Sequence, residues 1–187
     1  MKKGLVALIV IVVLIVIIVA QVIGAYNTMV ELNEDVDNKW SQVENNLQRR
    51  ADLIPNLVST VKGYAQHEEK IYTDIAEARS KLVGAGNMNE LAEANDELSG
   101  AISRLLVVVE NYPQLKADKN FIQLMDNLEN TENRIAISRK DYNDTVQKYN
   151  THIQKFPMNV FAGLFNFEKR QYFQASENSQ TVPEVSF

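Results

Sequence analysis

The sequence predicts an all-α protein in which an N-terminal transmembrane helix is followed by an antiparallel four-helix bundle. Three observations carry that expectation. Sixteen consecutive apolar residues run from Leu5 to Ala20. Beyond them apolar residues recur every three or four positions, the spacing of an amphipathic helix face. No window of comparable length alternates apolar with polar residues as a half-buried strand would.

The first element is the anchor, residues 5–25, after a short cytoplasmic N-terminus of residues 1–4. Val22, Ile23 and Ala25 extend the apolar run, with only Gln21 and Gly24 intervening. That length spans a bilayer, and at roughly −0.3 to −0.6 kcal/mol per central Leu, Ile or Val the run favours the membrane by several kcal/mol. A cleaved signal peptide would have a shorter apolar core and small residues at the cleavage site. The nearest such site, Ile23-Gly24-Ala25, puts a bulky isoleucine where a small residue is preferred, so the anchor is read as retained. Lys2 and Lys3 lie on the short side, whereas the other flank opens with Glu31, Glu34, Asp35 and Asp37. The positive-inside rule therefore puts the C-terminal domain outside a bacterial cytoplasmic membrane, periplasmic or extracellular.

The bundle is expected over residues 26–157. Its first stripe comprises Met29, Leu32, Val36, Trp40, Val43, Leu47, Ala51, Ile54, Val58, Val61 and Ala65. A second runs through Ile71, Ile75, Ala78 and Leu82 to Gly84-Ala85-Gly86-Asn87, whose glycines suit a helix stop and turn. A third comprises Leu91, Ala94, Leu98, Ile102, Leu105 and Val109, ending before Pro113. The fourth comprises Phe121, Leu124, Leu128, Ile135, Tyr142, Val146, Tyr149, Ile153 and Phe156, ending before Pro157. Pro55 decides the helix count, because a proline costs about 3 kcal/mol inside a helix and almost nothing in a first turn. With Asp52 as N-cap a new helix starts there, giving four rods of roughly 34 to 57 Å. The alternative is three helices with a long kinked first helix, since the apolar stripe crosses Pro55 without a change of phase.

Residues 158–173 form an aromatic segment, with Phe161, Leu164, Phe165 and Phe167 placed to cap the base of the bundle or to sit at the lipid interface. Residues 174–187 are polar with few apolar anchors, and are expected to be disordered.

Charge narrows the partners. All 24 acidic residues and 17 of the 19 basic ones lie beyond the apolar run, leaving that part with a formal charge of −7. Nucleic acid is accordingly not expected as a partner. There is no cysteine, which excludes disulfides and thiol chemistry. A bundle can house a di-iron site, but Tyr64 and Tyr149 stand three residues before His67 and His152, where that site needs Glu. The sequence holds no phosphate-cradling GxxxxGK[ST], no GxSxG elbow and no zincin pair of histidines. No enzyme activity, cofactor or metal is expected.

Two polar clusters are candidate interaction sites. Arg49, Arg50 and Asp52 beside Pro55 could bind an anion, although a charged helix end making ion pairs is the plainer account. In the fourth helix Tyr142 with Asn143 and Tyr149 with Asn150 repeat at a spacing of seven, among Glu132, Arg134, Arg139 and Asp141. Such a stripe suits a polar seam within the fold or against another chain. Trp40 lies on the first apolar stripe and is expected in the core; exposed, it would mark a partner surface.

Four segments, RRADLIPNLVSTVKGYAQHE (Arg49 to Glu68), LSGAISRLLVVVENYPQLKADKNFIQL (Leu98 to Leu124), TENRIAISRKDYNDTVQKYNTHIQKFP (Thr131 to Pro157) and YNTMVELNEDVDNKW (Tyr26 to Trp40), together resemble the LemA family of bacterial membrane proteins. The resemblance extends over about Tyr26 to Phe173. It implies one N-terminal membrane helix followed by an antiparallel four-helix bundle. It brings no catalytic residues, because the family has no established general biochemical function. One branch of the family is associated with magnetosome membranes.

The expected function is a non-catalytic, membrane-anchored scaffold or interaction module of the cell envelope. Its expected partners are membrane lipid, copies of itself as a homo-oligomer, and other envelope membrane proteins. The alternatives are a membrane-remodelling or lipid-organising protein and, with no constellation of groups to support it, an enzyme acting on an envelope substrate.

Overall fold

Among the described residues the chain forms six helices and no strand: α1 Lys2–Lys62, α2 Glu69–Gly84, α3 Met88–Val109, α4 Pro113–Lys116, α5 Lys119–Gln154 and α6 Met158–Leu164. The structure is a computed structural model and describes residues 2–65 and 67–174. The tail expected to be disordered therefore lies, from residue 175 onward, outside the described residues. The chain divides into two compact units, Met1–Lys39 with Tyr142–Tyr172 and Trp40–Asp141 with Phe173–Phe187.

Helix α1 corrects the expected break at Asp52. The helix runs through Asp52 and carries Pro55 in its interior. Asp52 caps nothing; its carboxylate accepts a hydrogen bond from Gln48 Nε2 one turn earlier, at 2.8 Å. Two features offset the cost of the proline. The apolar rows continue on both sides of it, with Ala51, Ile54, Leu57 and Val61 all buried. The carbonyl that Pro55 cannot serve, four residues back at Ala51, accepts instead from Arg79 Nε of α2 at 2.8 Å. The alternative, a long first helix that continues past Pro55, is what α1 forms, up to Lys62. The chain turns between Lys62 and Glu69, where the N–H groups of Tyr64 and Ala65 both donate to Val61 O and Tyr72 Oη donates to Ala65 O at 2.6 Å.

In the unit that contains the anchor, Leu5 through Val19 and Ile23 are exposed, and none of the most apolar 18-residue window is buried by protein. Protein packing starts at Ala25 and Met29. The helix is thus bare over the length that suits a bilayer and covered from Ala25 on, and the anchor passes into the packed part without a linker.

In the other unit, antiparallel pairing follows from the links between helices. Asn46 of α1 donates to Ser138 of α5, and Arg50 meets Glu132, so rising numbers on α1 match falling numbers on α5. Lys81 with Glu97 and Arg104 with Asp74 give α2 and α3 the same relation. The α2–α3 turn is held as its glycines foretell: Asn87 Oδ1 caps Glu90 N at 3.0 Å while the Glu90 carboxylate accepts from Gly86 N at 2.8 Å. Pro113 stands in the first turn of α4. Asp118 precedes α5 and accepts from Asn120 N and Phe121 N.

Heptad rows explain the long helices. On α1, Met29, Val36, Val43, Arg50 and Leu57 stand seven apart and are all buried. On α5, Phe121, Leu128, Ile135, Tyr142 and Tyr149 form one buried row, and Thr131, Ser138 and Thr145 form a second. Phe156, expected to end that stripe, is exposed instead, because α5 stops at Gln154.

Candidate functional site

The seam on α5 is built around the chain's own C-terminal segment. Past α6, Asn166 takes a left-handed conformation (φ 57°), which asparagine tolerates better than most residues. Phe167 N then donates back to Ala162 O at 2.9 Å, closing the helix end. The backbone continues without regular structure as a strap. Tyr149 Oη donates to Glu168 O and Tyr142 Oη to Gln171 O, each at 2.9 Å. Between them Asn150 grips Arg170 from both sides: its Nδ2 donates to Arg170 O at 2.8 Å and its Oδ1 accepts from Arg170 N at 2.9 Å. Arg170 then reaches α1, where Nε donates to Asn33 Oδ1 at 3.0 Å and Nη2 to Asp37 Oδ2 at 2.8 Å.

A strap without secondary structure exposes its own peptide groups, and this one satisfies four of them on Tyr142, Tyr149 and Asn150. Burial pushes the hydroxyls of Tyr142 and Tyr149 above the usual phenol range, with Asp37 adding to the shift and the Arg170 cation opposing it. Both phenols thus stay protonated as donors. Tyr142, Tyr149 and Asn150 thus bond the strap of their own chain and not a neighbouring helix. Asn143, on the same face in sequence, is half-buried. Arg170, which ties the strap to α1, was not singled out from sequence; its side-chain partners on α1 lie more than 130 positions away, and no local pattern points to it.

The aromatic segment divides. Phe165 and Phe167 set their ring edges against Tyr26, with centroids 5.1 and 5.8 Å apart, at the point where the anchor ends. Phe161 is half-buried, and Leu164 points outward.

In the second unit, Arg49, Arg50 and Asp52 do not converge. Arg49 and Asp52 are exposed. Arg50 occupies a buried place in the apolar row of α1, only 5% exposed. Its Nη1 donates to Asn95 Oδ1 at 2.6 Å and its Nη2 to Ser99 Oγ at 2.9 Å, both on α3. Nη1 also lies 2.9 Å from Glu132 Oε2 of α5, a charge contact without hydrogen-bond geometry. Burial lowers the guanidinium pKa, and the carboxylates of Glu132 and Asp96 act against that shift. The arginine therefore joins three helices and is not held open for an anion. Its place in a row of Met and Val at intervals of seven was visible in the sequence. Trp40 is half-buried, with Phe173 tilted against it at 6.0 Å and the Arg139 guanidinium 4.4 Å over the Phe173 ring.

An open groove of about 690 Å³ between α1 and α2 is lined by Val58, Lys62, Tyr72 and Thr73 among others, with Lys62 Nζ 5.2 Å from the centre of the Tyr72 ring. Among the described residues no three His, Asp or Glu side chains are grouped to hold a metal ion.

Among the described residues one helix is long and apolar enough to cross a bilayer, and it runs on into packed all-helical structure, which is the make-up of a membrane-associated helical protein. The LemA family model matches residues 39–187, and the chain belongs to the LemA family. It is 31% identical to magnetosome protein MamQ 2 of Paramagnetospirillum magneticum, over 87% of this chain and 70% of that protein. It is 27% identical to magnetosome protein MamQ of Magnetospirillum gryphiswaldense, over 83% and 67% respectively. Protein LemA of Metamycoplasma hominis is 26% identical, over 83% of this chain and 71% of its own length.

Proposed function

We propose that this protein is a non-catalytic scaffold of the bacterial envelope, tethered by one membrane span with its body outside the cytoplasmic membrane, and acting through contacts with copies of itself or with other envelope proteins. The observation that carries this reading is the unbroken helix α1, which passes from bare apolar surface into the packed body at Ala25. A body fixed to its span in this way stays in the plane of the membrane, which raises its effective concentration for partners anchored in the same plane. Lys2 and Lys3 before the span, with acidic residues after it, favour the outward orientation. The relatives named as magnetosome proteins are named for a cellular structure and not for a reaction, which supports the same reading.

The test is native mass spectrometry of the full-length chain released from lipid nanodiscs, with chemical cross-linking in membranes alongside. Discrete oligomers or reproducible cross-links to envelope proteins are expected. Monomer alone in both measurements overturns the scaffold.

A further inference from the structure

Helix α6, Met158-Asn159-Val160-Phe161-Ala162-Gly163-Leu164, has a single polar side chain, so it is apolar nearly all round. Helices of that kind are covered on every side, by protein or by lipid. Here protein covers one side: Ala162 is buried, and Met158 and Phe161 are half-buried. The other side is bare. Val160 and Leu164, one turn apart, are 59% and 69% exposed, and Phe156, in the turn that leads into the helix, is 84% exposed. Water gives no reason to keep three such side chains together, since scattered exposed residues are ordinary and grouped ones mark an interaction surface.

The position of α6 identifies what covers them. Its last turn leads into Phe165 and Phe167, whose rings lie on Tyr26, the first residue after the apolar run. Tyrosine at the end of a span marks the headgroup level. The helix α6 thus belongs to the same compact unit as the anchor, and the residues that follow it reach the anchor's end at Tyr26. Lys155 and Lys169, both exposed, stand on either side of this segment, where their long stems can reach headgroups.

We propose that Phe156, Val160 and Leu164 are embedded in the lipid leaflet from which the span emerges, giving the body a second contact with the bilayer. The inference rests on the membrane tether of the proposed function and not on self-association. The full chain lacks cysteine, so single variants Phe156→Cys, Leu164→Cys and, within the span, Val13→Cys can each be labelled with the fluorophore NBD and reconstituted in liposomes with or without brominated acyl chains. The proposal expects blue-shifted emission at 156 and 164 that loses intensity in brominated lipid, as at 13. Quenching at 13 with none at 156 and 164 overturns the embedded face and leaves the tether standing. Blue-shifted emission at 156 and 164 that ignores bromine but rises with protein density overturns it in favour of a second copy. No quenching at 13 removes the tether itself, and this proposal with it.

Discussion

Replacing Arg79 by alanine isolates the interaction by which α1 tolerates Pro55. In the wild type the substitution removes the donor to Ala51 O, a part-buried carbonyl with no N–H available four residues on. A hydrogen bond from a charged donor contributes about 1.5–3 kcal/mol, and an orphaned carbonyl costs about as much. The expected loss for R79A is thus about 2 kcal/mol. Pro55→Ala supplies the missing N–H. Its intrinsic gain of about 3 kcal/mol in a helix interior is reduced by the greater freedom of the unfolded chain, about 0.4–1 kcal/mol, and by displacement of the Arg79 bond. A net stabilisation of about 1–2 kcal/mol follows. In the P55A background, R79A then costs about 1 kcal/mol less than in the wild type, because the backbone has taken over its role. Urea unfolding of the four full-length variants in detergent, followed by circular dichroism at constant m-value, measures the cycle. Additivity within about 0.4 kcal/mol refutes the account, because Arg79 would then be unconnected to the proline.

Three further outcomes follow from the same geometry. Asn150→Ala leaves Arg170 N and O without partners, at about 1–3 kcal/mol, so trypsin should cut at Lys169 and Arg170 faster while cleavage at Lys62 is unchanged; equal rates at both places would mean that the strap is held by other contacts. Arg50→Ala should cost about 2–4 kcal/mol, because buried partners on α3 lose their donor. Glu132→Ala should cost less than that, because its carboxylate makes a charge contact with Arg50 and no hydrogen bond, and equal losses in urea unfolding would show that the ion pair and not the α3 bonds anchors Arg50. The Asp118 carboxylate is held below its usual range, first by Phe121 N and then by the Tyr64 hydroxyl and Asn120 N. Its contribution is therefore present above the unfolded carboxylate pKa and is lost as pH falls through the lower folded value, so Asp118→Asn should flatten the acid limb of a Tm-against-pH curve, and an unchanged limb would contradict the cap.

Much of the architecture was legible because it depends on period and composition. The anchor is a property of one uninterrupted apolar run, and the stripes on α1, α2, α3 and α5 are properties of spacing along the chain. Gly84 to Asn87, Pro113 and Pro157 stop helices by local backbone chemistry, which needs no partner to be read.

What the tertiary structure alone decided are the matters settled by distant groups. Whether a proline breaks a helix depends on whether its stranded carbonyl finds another donor, and Arg79 lies 28 positions from Ala51. The Tyr and Asn repeat on α5 had two physically equivalent partners, a helix or a neighbouring chain, until the strap at Glu168 to Gln171 was seen to take up its hydrogen bonds. Which apolar side chains of the aromatic segment face outward was likewise undetermined, since period alone cannot say which side of a short helix apolar all round is covered. The anchor and the helix faces follow from local periodicity, whereas the grip on the strap, the burial of Arg50 and the bare side of α6 follow from which remote residues meet.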